Sequence, residues 1–361
     1  AAIDAAVLEW IKETPWQRDE ERFDGLARRI FCHQFEHCLP YARFARGRGV
    51  TPQSLTQWRE IPAVPAGAFK EMPLRSFPEA DTKVIFRTSG TSGSPRGELH
   101  LDTLTLYEAS ALAILRTLLL PDLVRHQTPI RVLAPSALEA PDSSLSLMFS
   151  FLIDEFGAPE SGFDIENGEI QLESLKLSIA ACTREGQPIV LCGTAFAFVH
   201  LLDRLSEENL CFSCPPGSRI METGGFKGRS REMSRDELHS NLAKAFGIPS
   251  SFIINQYGMT ELGSQFYDSS RVDPEGPRRK LIPPWVNLRI IDPDTSLDVA
   301  PGKTGMVTLY DLANTGSVAA IQTADLARPV PGDPSGFEVV GREKGAEERG
   351  CSIAADEMLA D

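Results

Sequence analysis

The fold is decided by a short β-prone run and the loop that follows it, Lys83-Val84-Ile85-Phe86-Arg87-Thr88-Ser89-Gly90-Thr91-Ser92-Gly93-Ser94-Pro95-Arg96-Gly97. Glycines let the backbone turn tightly and approach a ligand closely, and successive backbone N–H groups in such a turn form an anion-binding concavity. Arg96 adds a guanidinium that can bind a phosphate through two hydrogen bonds. A flexible Gly/Ser linker is the alternative, but a preceding strand and a following helix capped by Asp102 favour an anion-binding loop.

A second motif, Asn255-Gln256-Tyr257-Gly258-Met259-Thr260-Glu261, also follows a predicted strand. Tyr257 could stack on a nucleotide base, and Gly258 permits a tight turn. Thr260 could bond a phosphate oxygen, and Glu261 could hold a magnesium ion that bridges phosphates. The alternative interpretation is the start of a helix with Thr260 as its cap.

Composition excludes several classes of protein. The net charge is −14, from 36 Lys+Arg and 50 Asp+Glu, which argues against nucleic-acid binding and against an anionic membrane surface. The cysteine count of seven is odd and no signal-like segment starts the chain, so a reduced, cytoplasmic protein is expected. Apolar runs at residues 111–120 and 191–202 are shorter than the about 20 residues that a membrane-spanning helix needs.

The pattern along the chain predicts an α/β protein. Helical spacing of apolar residues covers residues 1–50, and strands then alternate with helices as far as Gln256. This rhythm predicts a large α/β core with mostly parallel sheets over residues 1–273. From residue 274 onwards Pro and Gly are frequent and short β segments are predicted near 286–291, 305–309 and 337–340, so a small β-rich subdomain is expected over 274–340. Residues 341–361 form a hinge-like tail that carries Cys351.

Taken together, the two motifs resemble those of the adenylate-forming superfamily of acyl-CoA synthetases, adenylation domains and firefly luciferase. The resemblance implies that the loop binds ATP phosphates and that Glu261 holds Mg²⁺. Other sequence motifs of the superfamily follow in the expected order. Thr223-Gly224-Gly225-Phe226 resembles the glycine turn beside adenine, Thr323-Ala324-Asp325 resembles the Thr-Gly-Asp that binds ribose, and Gly341-Arg342 resembles the hinge motif whose arginine faces the ribose.

Two departures indicate a narrower group. The sequence ends 20 residues after Gly341, so the mobile C-terminal lid domain is expected to be absent, and Arg96 stands where lysine is usual. With Gly224-Gly225-Phe226-Lys227-Gly228-Arg229 and Arg349-Gly350-Cys351-Ser352, these features are most similar to the LuxE-type acyl-protein synthetases. That resemblance implies an ATP-dependent ligase that forms a fatty acyl-adenylate, releases pyrophosphate and AMP, and passes the acyl group to its own cysteine. A reductase partner then receives it.

Two alternative functions stay open at this point. The acyl acceptor could be coenzyme A, as in acyl- or aryl-CoA ligases, or the chain could be a non-catalytic subunit that binds a nucleotide or an acyl group. Cys211 and Cys214 form a C-x-x-C pair, but no second pair or nearby histidine completes a zinc site. We expect every cysteine before Cys351 to pack as a small apolar group.

Overall fold

The computed structural model describes residues 2–89, 95–123, 127–224, 233–293, 295–300, 302–342 and 358. Its α-helices are α1 Ala2–Lys12, α2 Glu20–His37, α3 Leu39–Gly47, α4 Thr105–Ile114, α5 Ser144–Phe156, α6 Leu172–Glu185, α7 Ala195–Glu207 and α8 Arg235–Phe246. Its strands are β1 Val64–Pro65, β2 Val84–Arg87, β3 Glu98–Leu101, β4 Ile130–Leu133, β5 Gly162–Phe163, β6 Ile165–Glu166, β7 Glu169–Ile170, β8 Val190–Thr194, β9 Arg219–Thr223, β10 Ile253–Tyr257, β11 Phe266–Tyr267, β12 Lys280–Leu281, β13 Val286–Ile291, β14 Gly305–Asp311, β15 Ala320–Val330 and β16 Asp333–Arg342.

The chain divides into two compact units, each assembled from segments that are distant in sequence. The first unit contains Ala1–Ala113, Met259–Gln265 and Arg279–Asp361, and the second contains Ile114–Gly258 and Phe266–Arg278. The chain therefore passes from the second unit to the first between Gly258 and Met259, inside the second motif. The contiguous division at residues 273/274 and 340/341 stays a prediction from the sequence pattern.

The second unit is built on a sheet with the strand order β11-β10-β9-β8-β4-β5. Its neighbouring strands run parallel except for β11, which pairs antiparallel with β10. Ser143, Thr194 and Ser234 cap helices α5, α7 and α8 with their side-chain oxygens, which satisfies backbone N–H groups that a helix start leaves without partners. The predicted α/β class with a mostly parallel sheet is confirmed in this unit.

The first unit contains an antiparallel sheet with the order β12-β16-β15-β14-β13, and β1 pairs parallel with β15. Helices α1 to α3 confirm the helical N-terminal segment that the apolar spacing predicted. Edge-on contacts join aromatic rings of these helices, the following loop and β14, namely Trp10, Phe23, Trp58 and Tyr310. The strands predicted near 286–291, 305–309 and 337–340 are present as β13, β14 and β16.

The element that follows the glycine-rich loop differs from the prediction. Strand β3 comes directly after the loop and pairs antiparallel with β2, so the loop joins the two strands of a hairpin. Helix α4 begins only at Thr105, where the hydroxyl of Thr103 accepts from the Thr105 N–H at 3.2 Å. Asp102 lies three residues before that helix, too early for an N-cap, so the predicted cap is wrong.

A buried ion pair in the second unit provides a stability test. Arg131 donates to both carboxylate oxygens of Asp164, whose side chain is 0% exposed, and to Ser174. Removing one partner leaves a buried charge without compensation. We expect Asp164→Ala to lower the free energy of unfolding by about 3 kcal/mol in urea titration. The control is Glu185→Ala, which removes an exposed pair with Arg184 and should change it by less than about 0.5 kcal/mol. Equal effects of the two changes would contradict this expectation.

Candidate functional site

The glycine-rich loop is closed at its base by Thr88 and Gly97. The Thr88 N–H donates to the Gly97 carbonyl at 2.9 Å, and the Gly97 N–H donates to the Thr88 hydroxyl at 2.8 Å. These bonds extend the hairpin ladder beyond the last paired residues, Arg87 and Glu98. Arg96 Nε donates to the Thr88 carbonyl at 2.6 Å and its Nη2 donates to the Arg87 carbonyl at 3.2 Å. Ser89 follows Thr88 beyond the end of β2, and the predicted residues Gly90, Thr91, Ser92 and Gly93 lie outside the described residues.

The carboxylate of Glu261 lies beside this closed base. A Cβ atom on Gly97 would be 3.1 Å from Thr88 Cγ2 and 3.6 Å from Glu261 Oε1. Glu261 Oε1 therefore lies within van der Waals distance of the position that a Gly97 side chain would occupy, and Glu261 is 5% exposed. Two motifs that are far apart in the sequence thus meet within the first unit.

Residues 259–262, which include Thr260 and Glu261, form a tight turn. Leu262 N–H donates to the Met259 carbonyl at 3.2 Å, and the short strand β11 follows. No helix starts here, so the alternative interpretation of Thr260 as a helix cap is wrong. Thr260 is half-buried beside Glu261.

Two buried side chains near the end of β14 hold this turn. Asn314 Nδ2 donates to the Glu261 carbonyl at 2.9 Å and to the Val318 carbonyl at 3.1 Å. The Ser264 hydroxyl donates to Asp311 Oδ1 at 2.8 Å. Sequence reasoning missed both Asp311 and Asn314, because an Asp and an Asn among small residues are typical of an ordinary loop.

Burial raises the pKa of Asp311 to about 6, although hydrogen bonds from the Ser264 hydroxyl and the Ala313 N–H favour its charged form. Its carboxylate is 0% exposed. Removal from water penalises the ionised form of this carboxylic acid more than its four hydrogen bonds, from Ser264, Ala313 and Gly263, stabilise it.

In the second unit, Gly224 directly follows β9, and Tyr257 is the last residue of the neighbouring strand β10. Strands β9 and β10 are parallel, with Thr223 opposite Gln256, and the Thr223 hydroxyl donates to the Gln256 side-chain oxygen. Gly224 has φ of +85°, a conformation that favours glycine. Tyr257 is half-buried against Phe266 and precedes the exposed Gly258. The other members of the predicted adenine turn, Gly225 and Phe226, lie outside the described residues.

A buried polar network includes Glu222, which lies on β9 two residues before Gly224. Arg278 Nη1 approaches His239 Nδ1 at 3.0 Å, and arginine can only donate, so the proton of this imidazole resides on Nε2. Nε2 in turn donates to Glu222 Oε1 at 3.0 Å, and Asn255 Nδ2 donates to the same oxygen at 2.8 Å. Sequence reasoning missed this network, whose members are distant in sequence and separately look unremarkable.

Asp325 and Arg342, both predicted to face a ribose, stand directly opposite each other in the pairing of β15 with β16. The Asp325 N–H donates to the Thr323 hydroxyl at 3.0 Å, and that hydroxyl donates to the Val307 carbonyl at 3.0 Å. Ala324 lies inside β15, so an alanine in place of the usual glycine needs no left-handed backbone.

Cys351 lies outside the described residues, but Met358 beyond it is described. Met358 is 0% exposed, and its carbonyl accepts from Arg43 Nη1 at 3.4 Å.

Among the earlier cysteines, Cys38, Cys182, Cys192 and Cys214 are buried as expected and Cys32 is intermediate, whereas Cys211 is exposed, so the packing prediction is wrong for Cys211. In the described part of the chain, no three His, Cys, Asp or Glu side chains cluster as metal ligands, and no helix there has the length and apolarity to span a bilayer.

Comparison with known proteins identifies a family. The family model described as acyl-protein synthetase, LuxE, matches residues 3–360. The long-chain-fatty-acid–luciferin-component ligase of Aliivibrio fischeri is 24% identical over 357 residues, covering 96% of this chain and 91% of that protein. The Vibrio harveyi ligase of the same name is 22% identical over 349 residues, covering 95% of this chain and 89% of its own.

Solved structures show the fold. A 2-hydroxyisobutyryl-CoA ligase in an open conformation, in complex with 2-HIB-AMP and CoA, superimposes with a TM-score of 0.61 at 14% identity, covering 90% of this chain and 75% of that chain. The same ligase in its thioesterification state superimposes with a TM-score of 0.63 at 16% identity, covering 94% of this chain and 68% of that chain. The chain thus has the fold of the adenylate-forming ligases.

The raised pKa of Asp311 predicts how stability depends on pH. The folded pKa of about 6 exceeds the unfolded value of about 3.9, so between these pH values the folded state binds the extra proton and stability falls as pH rises. Relative to Asp311→Asn, the wild type should lose about 3 kcal/mol of unfolding free energy between about pH 4 and pH 6, and no more above that. Urea titrations of both proteins at several pH values measure the difference. A wild type that gains stability relative to the variant over this interval would show that Asp311 is stabilised as an anion instead.

Proposed function

The chain belongs to the LuxE family of acyl-protein synthetases, and on that premise we propose that it activates a long-chain fatty acid with ATP and transfers the acyl group to Cys351. Membership makes the chain a ligase. The fatty-acid substrate is inferred from the names of the Aliivibrio and Vibrio relatives, which cover nearly the whole chain.

One observation carries the proposal: the Glu261 carboxylate lies beside the closed base of the glycine-rich loop. A Cβ on Gly97 would reach within 3.6 Å of Glu261 Oε1. A phosphate chain bound by the loop would therefore lie near a buried carboxylate, whose negative charge would repel it. A divalent cation between them removes that repulsion.

The donor set fits Mg²⁺. This ion takes oxygen ligands and is commonly held by one or two carboxylates together with substrate phosphates. Glu261 would hold it, and the bound ion would neutralise charge on the β and γ phosphates. Backbone N–H groups and hydroxyls of the loop, from Thr88 and Ser89 through Gly90, Thr91, Ser92 and Gly93, would bind the same phosphates, and Arg96 would add positive charge.

In the first half-reaction, the fatty carboxylate attacks the α-phosphorus of ATP. A carboxylate O–P bond forms while the bond from phosphorus to pyrophosphate breaks. Thr260 would hold an oxygen of the α-phosphate as charge develops on it. Tyr257, with Gly224, Gly225 and Phe226, would bind adenine, and Asp325 with Arg342 would bind the ribose hydroxyls. Such chemistry depends mainly on positioning and electrostatics, so no dedicated base is required.

In the second half-reaction, the Cys351 thiol loses its proton to water and attacks the acyl carbonyl. The C–S bond forms, the C–O bond to AMP breaks, and AMP leaves. Cys351 is nine residues from Arg342 and seven from Met358. The shorter connection limits the thiol to about 24 Å from Met358 while that residue stays anchored. A reductase that resembles acyl-CoA reductases would then take the acyl group from the thioester.

Two other functions would give different experimental results. An acyl- or aryl-CoA ligase would need no thiol of its own and would form acyl-coenzyme A. A non-catalytic binding subunit would support no ATP–pyrophosphate exchange with any acid.

The Glu261 role predicts a mutational effect. Glu261→Gln keeps the size of the side chain but removes the charge that would hold Mg²⁺. We expect fatty-acid-dependent pyrophosphate exchange to fall at least tenfold, on the order of 1.4 kcal/mol of barrier. The control is Glu173→Gln, an exposed helical glutamate, which should exchange at the wild-type rate. Near wild-type exchange by Glu261→Gln would remove Glu261 from the mechanism.

The Cys351 role predicts where label accumulates. With radiolabelled fatty acid, ATP and Mg²⁺, the wild type should retain label through denaturing electrophoresis and lose it in neutral hydroxylamine, as a thioester does. Cys351→Ala should still exchange pyrophosphate and retain no such label. The matched control is Cys211→Ala, which removes an exposed thiol that has no proposed role, and it should label normally. Labelling of Cys351→Ala at the wild-type level would exclude Cys351 as the acceptor.

A further inference from the structure

We propose that Asn314 and Asp311 are positioning residues that fix the Glu261 carboxylate against the base of the glycine-rich loop. This inference rests on the proposed role of Glu261. It adds two residues to the apparatus of the first half-reaction, neither of which contacts a substrate.

Asn314 acts on the backbone of Glu261 itself. Its Nδ2 donates to the Glu261 carbonyl at 2.9 Å and to the Val318 carbonyl at 3.1 Å, and the residue is 1% exposed. Both acceptors are backbone groups that would lose a partner in a buried region if the amide were removed. Leaving such groups without hydrogen bonds is unfavourable, so a truncated side chain would let the turn shift to find other partners.

Asp311 holds the same segment three residues further on. Ser110 and Ser264 hydroxyls are 2.9 Å apart, and the Trp285 indole N–H lies 3.2 Å and 3.1 Å from their oxygens. Because Ser264 donates its proton to Asp311, Ser110 must donate to Ser264. Every donor in this network is therefore directed towards the Asp311 carboxylate, which gives the network one arrangement.

The turn that carries Asn314 is itself held by α2. Gln34 Nε2 donates to the Asn314 carbonyl at 2.9 Å, and the Ala319 N–H donates to Gln34 Oε1 at 3.1 Å. Gly263 completes the fit, since a Cβ there would lie 3.0 Å from the carbonyl carbon and oxygen of Ala313. The turns at Glu261 and Asn314 thus touch backbone to backbone, and a small displacement of one moves the other.

A purely structural network would give stability alone, whereas a positioning network also sets metal affinity. The experiment therefore titrates Mg²⁺ calorimetrically into the full chain saturated with α,β-methylene ATP, and measures pyrophosphate exchange and urea unfolding in parallel. The variants are Asn314→Ala, Gly263→Ala and Glu261→Gln. The matched control is Asp164→Ala, which breaks the buried ion pair with Arg131 in the second unit and removes no group from the Glu261 turn or from the Asp311 network.

We expect Asn314→Ala and Gly263→Ala to weaken Mg²⁺ binding at least fivefold and to lower kcat of exchange about tenfold, on the scale of one lost directed interaction. The KM for fatty acid should stay within about twofold, because the acid makes no proposed contact with this turn. Asp164→Ala should lose stability and keep the wild-type Mg²⁺ affinity. Gly263→Ala removes no polar group, so it serves even where Asn314→Ala does not fold.

Two results would overturn the inference and are distinguishable. If Glu261→Gln weakens Mg²⁺ binding but Asn314→Ala and Gly263→Ala do not, the positioning role is wrong and the proposed role of Glu261 stands. If Glu261→Gln leaves Mg²⁺ affinity unchanged, Glu261 holds no metal, and the positioning role fails with it.

Discussion

The Glu261 carboxylate lies beside the closed base of the hairpin loop, and the rest of the proposed site depends on this contact. Thr88 and Gly97 close the loop with two hydrogen bonds, and Glu261 Oε1 lies 3.6 Å from the position that a Cβ atom on Gly97 would occupy. An acidic side chain next to an anion-binding loop is electrostatically unfavourable unless a cation lies between them. In the proposed function, a metal ion between Glu261 and the phosphate chain would relieve this repulsion.

Buried polar groups maintain this geometry. Asn314 holds the Glu261 carbonyl, and Ser264 connects the same segment to Asp311. Burial raises the pKa of Asp311, so its carboxylate is less stable ionised here than in water. A comparable network of Glu222, His239 and Arg278 supports the strand ends that carry Gly224 and Tyr257. Both networks favour one arrangement of side chains where an apolar core would permit several.

Local sequence patterns predicted much of this molecule. The alternation of strands and helices predicted the parallel sheet, and the two motifs singled out Thr88 and Glu261. Asp325 was identified only through the resemblance of Thr323-Ala324-Asp325 to the ribose-binding motif of the superfamily. Asp311 and Asn314 could not be found that way, since their roles depend on contacts with residues about 50 positions away. Asp102 was wrongly predicted as a helix cap because the sequence of the loop does not reveal that the residues after it form strand β3, paired with β2. Strand β15 was missed because Asp325 and Pro329 interrupt its apolar pattern.

The central claim is that this chain forms a fatty acyl-adenylate, and isotope exchange between pyrophosphate and ATP tests it most directly. Exchange reverses the first half-reaction and needs no acyl acceptor, so it is independent of Cys351 and of any partner. We predict that labelled pyrophosphate enters ATP when Mg²⁺ and a long-chain fatty acid are both present, and that omitting either one abolishes the incorporation. An absence of exchange with fatty acids of every chain length, in protein that remains folded by urea titration, would contradict the account.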